Sequence, residues 1–300
     1  MLPFVNLFRN WLYDHQLLPI HSVSDTFVIS IGNLTYGGTG KTPLAIKLLE
    51  ALRGESVSLV TRGYRGEYQE KDLPLQVQSD SDPRVVGDEP LLIKRSVPEV
   101  KVIVDPDRVR GVKFAHTPIA LLDDGMQHRR LARDLEIVVV DGENPFPFFR
   151  LREFPSSLKR ADFVVVMGGT YSPDRPFIRM KREFVGPWDA AHLKGQKVAL
   201  FCGVGRPEQV VKGVEEAGAT LVKTLFLPDH VTPSREKLDD FIASCENSKA
   251  TVILCTEKDW VKLPTHIYGQ KVAPLKIGLK ILEGEEHWDK LITTCKRAKQ

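Results

Sequence analysis

The sequence predicts an α/β protein: a doubly wound, mostly parallel sheet with a second, smaller α/β domain joined by a two-stranded hinge. Three observations predict it. Short apolar runs without polar alternation recur at residues 26–31, 57–60, 102–104, 119–122, 137–140 and 163–167, the pattern of strands covered on both faces. A glycine turn joins the first of these runs to a helix-like stretch at 43–53, with Leu44, Leu48, Leu49 and Leu52 on one side. Beyond residue 177 the alternation of strand and helix restarts on a smaller scale.

Taken in order, residues 1–18 come first. Phe4, Leu7, Phe8, Trp11 and Leu12 fall at helical spacing, interrupted by Arg9, Asn10 and Asp14. The stretch is too short and polar to span a bilayer, and it lacks the basic start and cleavage site of a signal peptide. The spacing favours a helix packed on the core, the alternative being a helix lying in a membrane interface.

The turn reads Thr35-Tyr36-Gly37-Gly38-Thr39-Gly40-Lys41-Thr42. Strand, glycine turn, Lys-Thr and helix together hold a nucleotide triphosphate. Glycines let backbone N–H groups turn inward, the helix start adds partial positive charge, Lys41 adds a full one, and the Thr42 hydroxyl suits magnesium. Thr35 stands where the usual pattern has glycine, so the motif is the Gly-Gly-x-Gly-Lys-Thr variant of a P-loop NTPase-like domain. ATP or GTP is the expected ligand.

Polar residues follow the other strands. Thr61-Arg62-Gly63-Tyr64 comes after residue 60, Asp105-Pro106-Asp107-Arg108 after 104, and Asp123-Asp124-Gly125-Met126-Gln127-His128 after 122. Carboxyl ends of parallel strands share one crevice, so these loops are candidates for a common cleft. Asp123 and Asp124 are placed to hold magnesium. Asp88, in Gly87-Asp88-Glu89-Pro90, either caps a helix or accepts a proton from an attacking hydroxyl; composition favours the cap. His230, in Pro228-Asp229-His230, is a candidate partner for Asp88 if the domains face one another. Asp259 either recognises a base or stabilises its loop. Arg129, Arg130, Arg133, Arg150, Arg152, Lys159 and Arg160 read mostly as a solvated face, with a phosphate contact or two among them.

The remaining boundaries place an N-terminal helix at 1–25, a nucleotide domain at 26–176, hinge strands at 177–187 and 274–282, the smaller domain at 188–273, and a C-terminal helix at 283–300 that packs back on the first domain. The chain of 300 residues is 42% hydrophobic and 27% charged, with a net charge of +3. That charge is too small to argue for nucleic acid. Cys202, Cys245, Cys255 and Cys295 show neither zinc nor disulfide spacing, consistent with a reducing compartment. A soluble metabolite kinase or ligase, a nucleotide-switched binding module and a nucleotide-independent scaffold remain as alternatives.

The ordered motifs, from Gly32-Asn33-Leu34-Thr35 through the glycine turn, Thr61–Tyr64, Gly87–Pro90, Asp123–His128, Leu131-Ala132-Arg133-Asp134, Leu151-Arg152-Glu153, Arg160-Ala161-Asp162, Pro228–His230 and Thr256-Glu257-Lys258-Asp259, resemble the tetraacyldisaccharide 4'-kinase family of lipid A biosynthesis in Gram-negative bacteria. The resemblance covers nearly the whole chain. It implies transfer of the ATP γ-phosphate to the 4'-hydroxyl of a tetraacylated, glucosamine-based disaccharide 1-phosphate, with magnesium, by a peripheral enzyme on the cytoplasmic face of the inner membrane, expected to be a monomer. It implies Asp88 as base paired with His230, Lys41 on the transferred phosphate, and Glu89 beside Asp123 and Asp124 with Thr42 at the metal. Arg62, Gln127, His128 and Arg152 are the substrate candidates, and the N-terminal helix meets the membrane. This chain has Met167-Gly168-Gly169 where relatives often carry Asn-Gly, and Val231 where they often carry a second His.

Overall fold

A computed structural model describes residues 2–229 and 231–297. The chain opens with helix α1, Leu2–Asp14. It stops where Gln16 takes a left-handed φ of 59°, and the amides of Gln16 and Leu17 turn back to the carbonyls of Tyr13 and Leu12, an αL closure of the last turn. The apolar stripe is real, but it faces outward. Phe4, Val5, Leu7, Phe8 and Trp11 are exposed, while Asn6 and Asn10 are buried. The expectation of core packing from spacing is therefore corrected: the polar side of α1 finds buried hydrogen-bond partners, described below, and takes the inner position.

Strand β1 (Phe27–Asn33), helix α2 (Lys41–Ala51), strands β2 (Val57–Thr61) and β3 (Leu75–Val77), helices α3 (Pro83–Val86) and α4 (Asp88–Ser96), strand β4 (Lys101–Val104), helix α5 (Arg108–Ala115) and strands β5 (Ile119–Asp123), β6 (Leu135–Asp141), β7 (Phe163–Met167) and β8 (Phe177–Val185) follow. Helix α2 starts two residues before Pro43, because a proline in the first turn lacks only an N–H that has no intrahelical partner anyway.

The larger compact unit is Met1–Lys181 with Leu279–Gln300. Its strands run in the order β8-β7-β6-β1-β5-β2-β4-β3. Neighbours are parallel except β3 against β4. The β2, β5 and β7 residues are all buried, which explains why these strands read as unbroken apolar runs. Apolar clusters fill both faces. Val28, Val60, Ile103 and Leu122 pack with Val109 and Val112 of α5; Val138, Val140, Val164 and Val166 pack with Leu34, Met126 and Leu158. At Gly32 a Cβ would come 2.3 Å from Met126 Cβ. Glycine there lets the Asp123–His128 turn close onto β1.

The smaller unit, Arg182–Gly278, contains α6 (Ala190–Leu193), β9 (Lys197–Cys202), α7 (Pro207–Glu216), β10 (Thr220–Phe226), α8 (Arg235–Asn247), β11 (Val252–Thr256), α9 (Glu257–Trp260), α10 (Thr265–Tyr268) and most of β12 (Ala273–Glu283). The parallel order is β10-β9-β11-β12. Alternation along β9 sends Val198 and Leu200 to one cluster and Ala199 and Phe201 to the other. Asp259 is part of this framework: its carboxylate accepts from Gly203 N at 2.9 Å and Thr256 Oγ1 at 2.6 Å, and pairs with Lys262 at 2.8 Å. That is the loop-stabilising alternative. The four cysteines are free and buried.

Helix α11, Glu285–Arg297, belongs to the larger unit. Leu291 and Cys295 are buried, and Lys47 of α2 lies 5.5 Å from the Trp288 ring centre.

Candidate active site

The glycine turn lies at the carboxyl end of β1, where the order of strands reverses, the position at which doubly wound sheets bind ligands. Gly37 and Gly40 take φ of 108° and 98°, a region open to glycine at little cost. Gly40 is also the N-cap of α2, so no side chain covers the first-turn amides, and they point to where an anion would bind. Asn33 braces the turn, its Nδ2 donating to Thr35 O at 2.7 Å and Thr39 Oγ1 at 3.0 Å. From outside, Tyr36 N donates to Arg150 O at 2.7 Å, and Thr35 bridges antiparallel to Leu151. Thr42 is buried in the first turn.

Asp124 follows β5 in a left-handed conformation, φ 54°. Its carboxylate meets Lys41 Nζ at 3.3 Å and Arg152 Nη1 at 2.8 and 2.9 Å. Burial works against the charge, but Lys41 and Arg152 outweigh it and hold the group down at about 2. Arg152 in turn stacks 4.8 Å from the Tyr36 ring centre.

Asp123, one residue earlier, has the opposite environment. It is 4% exposed. Its Oδ2 accepts from Thr61 Oγ1 at 3.2 Å, while Oδ1 is buried with no hydrogen-bond partner among the described residues. Burial first, then the charges of Glu89 and Asp124, push it up to about 6, against Lys41 and Arg108. A buried acceptor without a partner, repelled by neighbouring carboxylates, suits a cation. Among the described residues no three His, Cys, Asp or Glu side chains form a ready-made cage. Magnesium does not need one, because it is commonly held by one or two carboxylates plus substrate phosphates and water. The donor set of Asp123, Thr42 and Glu89 fits that ion; both Asp124 oxygens are already engaged by cations.

Asp88 is the first residue of α4, behind Gly87 at φ 90°, a backbone open to glycine. It is buried, and its Oδ1 accepts from Glu89 N at 2.9 Å. The turn before it touches the loop after β2, where Glu67 N donates to Arg84 O. The charge of Glu89 reaches Asp123, so the start of α4 faces the end of β5. Arg62 is exposed on the β2 loop, close enough to help depress both Arg108 and His128. Burial chiefly takes the His128 imidazole down to about 4, leaving it neutral at pH 7. His230 lies outside the described residues.

Arg108 is the residue composition gave least reason to single out. It is buried at the start of α5, donating to Asp105 O at 2.6 Å and Asp123 O at 3.3 Å. Burial lowers it to about 10, with the nearby aspartates pulling it back. The signal available was its place at a strand's carboxyl end in Asp105–Arg108.

Behind the cleft lies a second polar layer. Glu153, almost fully buried, accepts from Asn10 Nδ2 at 2.6 Å, Gln127 Nε2 at 2.9 Å and Arg160 Nη2 at 2.5 Å. Asn6 Nδ2 donates to Arg152 O at 2.8 Å, and Arg9 to Gln127 O. Arg129 pairs with Asp14 and Arg133 with Glu136. The basic run is thus only partly a solvated face; Arg129 and Arg152 turn inward to acids distant in sequence, and Arg133 and Arg160 to buried acids nearby.

The pattern of the tetraacyldisaccharide-1-P 4'-kinase family, LpxK, matches residues 2–296. The chain belongs to this family. A tetraacyldisaccharide 4'-kinase of Chlamydia abortus is 35% identical over 283 residues, covering 85% of this chain and 77% of the relative. That of Chromobacterium violaceum is 37% identical over 267 residues, covering 80% and 75%. The crystal structure of LpxK from Aquifex aeolicus, in complex with ATP, superposes with a TM-score of 0.76 at 29% identity, covering 98% of this chain and 95% of that one. The protein is accordingly an enzyme, a kinase of the LpxK fold. No described helix is long and apolar enough to cross a membrane.

Proposed function

We propose that the protein transfers the γ-phosphoryl group of ATP to the 4'-hydroxyl of a tetraacylated glucosamine disaccharide 1-phosphate. Family membership supports the reaction. The observation that carries the site is Lys41 at the open start of α2, paired to Asp124, beside Asp123 with its unsatisfied oxygen.

In this reading the turn of Thr35, Tyr36, Gly37, Gly38, Thr39 and Gly40 cradles the phosphates against the open amides at the start of α2, while the Tyr36 amide stays on Arg150 O. Lys41 leaves Asp124 for the β- and γ-phosphate oxygens, where its charge offsets what develops in transfer. Asp124 and Arg152 keep the Lys41 ammonium oriented before nucleotide arrives. Magnesium, held by Asp123, Glu89 and the Thr42 hydroxyl, would neutralise phosphate charge. Asp88 accepts the proton of the 4'-hydroxyl as its oxygen bonds to the γ-phosphorus and the bond to the β-phosphate oxygen breaks, releasing ADP. His230 shares that proton load. Arg62, Gln127, His128 and Arg152 contact the acceptor, the arginines through its 1-phosphate.

An acylated acceptor lives in a lipid surface. The outward apolar stripe of α1, with Trp11 at 47% exposure, supports a monomer resting on the cytoplasmic face of the inner membrane through this helix. The test is a transfer assay with radiolabelled ATP, magnesium and tetraacyldisaccharide 1-phosphate, repeated with Asp88→Ala. Loss of kcat with ATP affinity retained is expected, because a base acts only in the transition state. Unchanged kcat removes Asp88 from its role.

A further inference from the structure

We infer that the Phe148-Phe149 tip is a second membrane-inserting element, working with α1 to set the height of the ATP site above the lipid surface. This rests on the membrane reading just proposed. Phe149 is 98% exposed and Phe148 is 69% exposed. Their rings meet edge to face, 5.7 Å between centres. Two adjacent aromatic side chains left in water at a loop tip are costly unless something apolar covers them.

The occupant follows from continuity and charge. Segment 151–154 leaves the tip and runs along α1: Asn6 holds Arg152 O, Asn10 holds Glu153, and the Phe4 and Phe154 rings meet at 5.1 Å. Phe149 and Arg152 are three residues apart, at most about 11 Å even fully extended. The tip therefore neighbours the helix whose Phe4, Leu7, Phe8 and Trp11 also face solvent. Arg150 directly follows the aromatics and Lys159 is exposed nearby in sequence. Aromatic tips flanked by basic side chains suit the headgroup region of an anionic bilayer. The same segment frames the glycine turn through Arg150 O and Leu151, so inserting the tip would fix the nucleotide site relative to the lipid plane.

The experiment compares the intact chain, a Phe148→Ser/Phe149→Ser variant and a Phe8→Ser/Trp11→Ser variant. Each is sedimented with vesicles of phosphatidylethanolamine and phosphatidylglycerol, and ATP affinity and Tm are measured without lipid. The tip variant should lose vesicle partitioning about tenfold, from the apolar area it no longer inserts, with ATP affinity and Tm unchanged. Undiminished partitioning of the tip variant, while the α1 variant falls, overturns the inference and leaves the membrane reading standing. A wild-type chain that never sediments overturns both. A tip variant that partitions normally but shows a raised KM in detergent micelles also overturns the inference, assigning the tip to acyl chains of the acceptor.

Discussion

Lys41 Nζ stands 3.3 Å from Asp124 Oδ1, a carboxylate that Arg152 also grips at 2.8 and 2.9 Å. The P-loop cation is thus held in a defined place before any phosphate arrives. Asp124→Asn should free Lys41 and set it against Arg152 with no acid between them. We expect kcat/KM to fall by about 100-fold, the scale on which losing one preorganised charge contact acts. The pH effect has a definite sign. The folded-state value lies below 3.8, at about 2, so this carboxylate stabilises the fold above the unfolded value, and that stability is lost as pH falls toward 2. Urea denaturation between pH 2 and 4 should show a steeper acid loss in wild type than in Asp124→Asn. Parallel curves would show that the pairing contributes nothing to the fold.

Asp123 gives the opposite prediction. Its folded-state value lies above 3.8, at about 6. The native state therefore binds this proton more tightly, and stability falls as pH rises from about 4 to 6. Above that window the ionised group is a standing cost. Asp123→Asn should melt higher than wild type at pH 8, and the gap should close toward pH 4, while activity is lost. Magnesium with ATP should raise the wild-type Tm more at pH 7 than at pH 5, because protonation removes the ligand. A variant that melts lower at every pH would mean the carboxylate is structurally needed, not strained.

The contrast between these neighbours shows where sequence reading stops. Short runs such as Val57–Val60 and Phe163–Met167 reveal buried parallel strands, because covering both faces leaves no room for polar alternation. The glycine turn is legible for a similarly local reason: its backbone needs glycine at 37 and 40. The adjacency of Asp123 and Asp124, however, says nothing about which side chain a left-handed residue at 124 sends toward Lys41. Arg129 and Arg152, which look solvated, find Asp14 and Asp124 only through long-range folding. Periodicity in α1 identified a stripe, yet a stripe does not say which side is covered. Asn10, read as an interruption, and Asn6 beside it are the inward face.

Gly32→Ala tests the close approach behind the site. The added Cβ would lie 2.3 Å from Met126 Cβ and 2.8 Å from Met126 N. The backbone nitrogen cannot swing away as a flexible side chain can, so the turn carrying Asp123 and Asp124 must shift. Overpacking of this kind costs about 1–3 kcal/mol or more. Urea denaturation should show that loss, with ATP affinity falling as well. A variant of wild-type stability and affinity would mean that β1 and the turn separate freely.

Glu153 tests whether α1 is part of the site or only an appendage to it. Its carboxylate joins Asn10 of α1, Gln127 of the Asp123–His128 turn and Arg160 in one buried cluster. Glu153→Ala leaves the Arg160 charge half-buried without its acid, and breaking a buried pair from one side costs about 3–5 kcal/mol. Glu153→Gln keeps the shape and an acceptor for Asn10 or Gln127, so its loss should be smaller, about 1–2 kcal/mol. Amide hydrogen exchange separates the local effect from the global one. In Glu153→Gln the α1 amides should lose protection while those of β1, β5 and β6 keep theirs, because a neutral amide serves Asn10 and Gln127 less well than the carboxylate to which both donate. If α1 exchanges as slowly in this variant as in wild type, the helix is secured by Phe4 against Phe154 and by Asp14 with Arg129, and the buried acid is not its anchor.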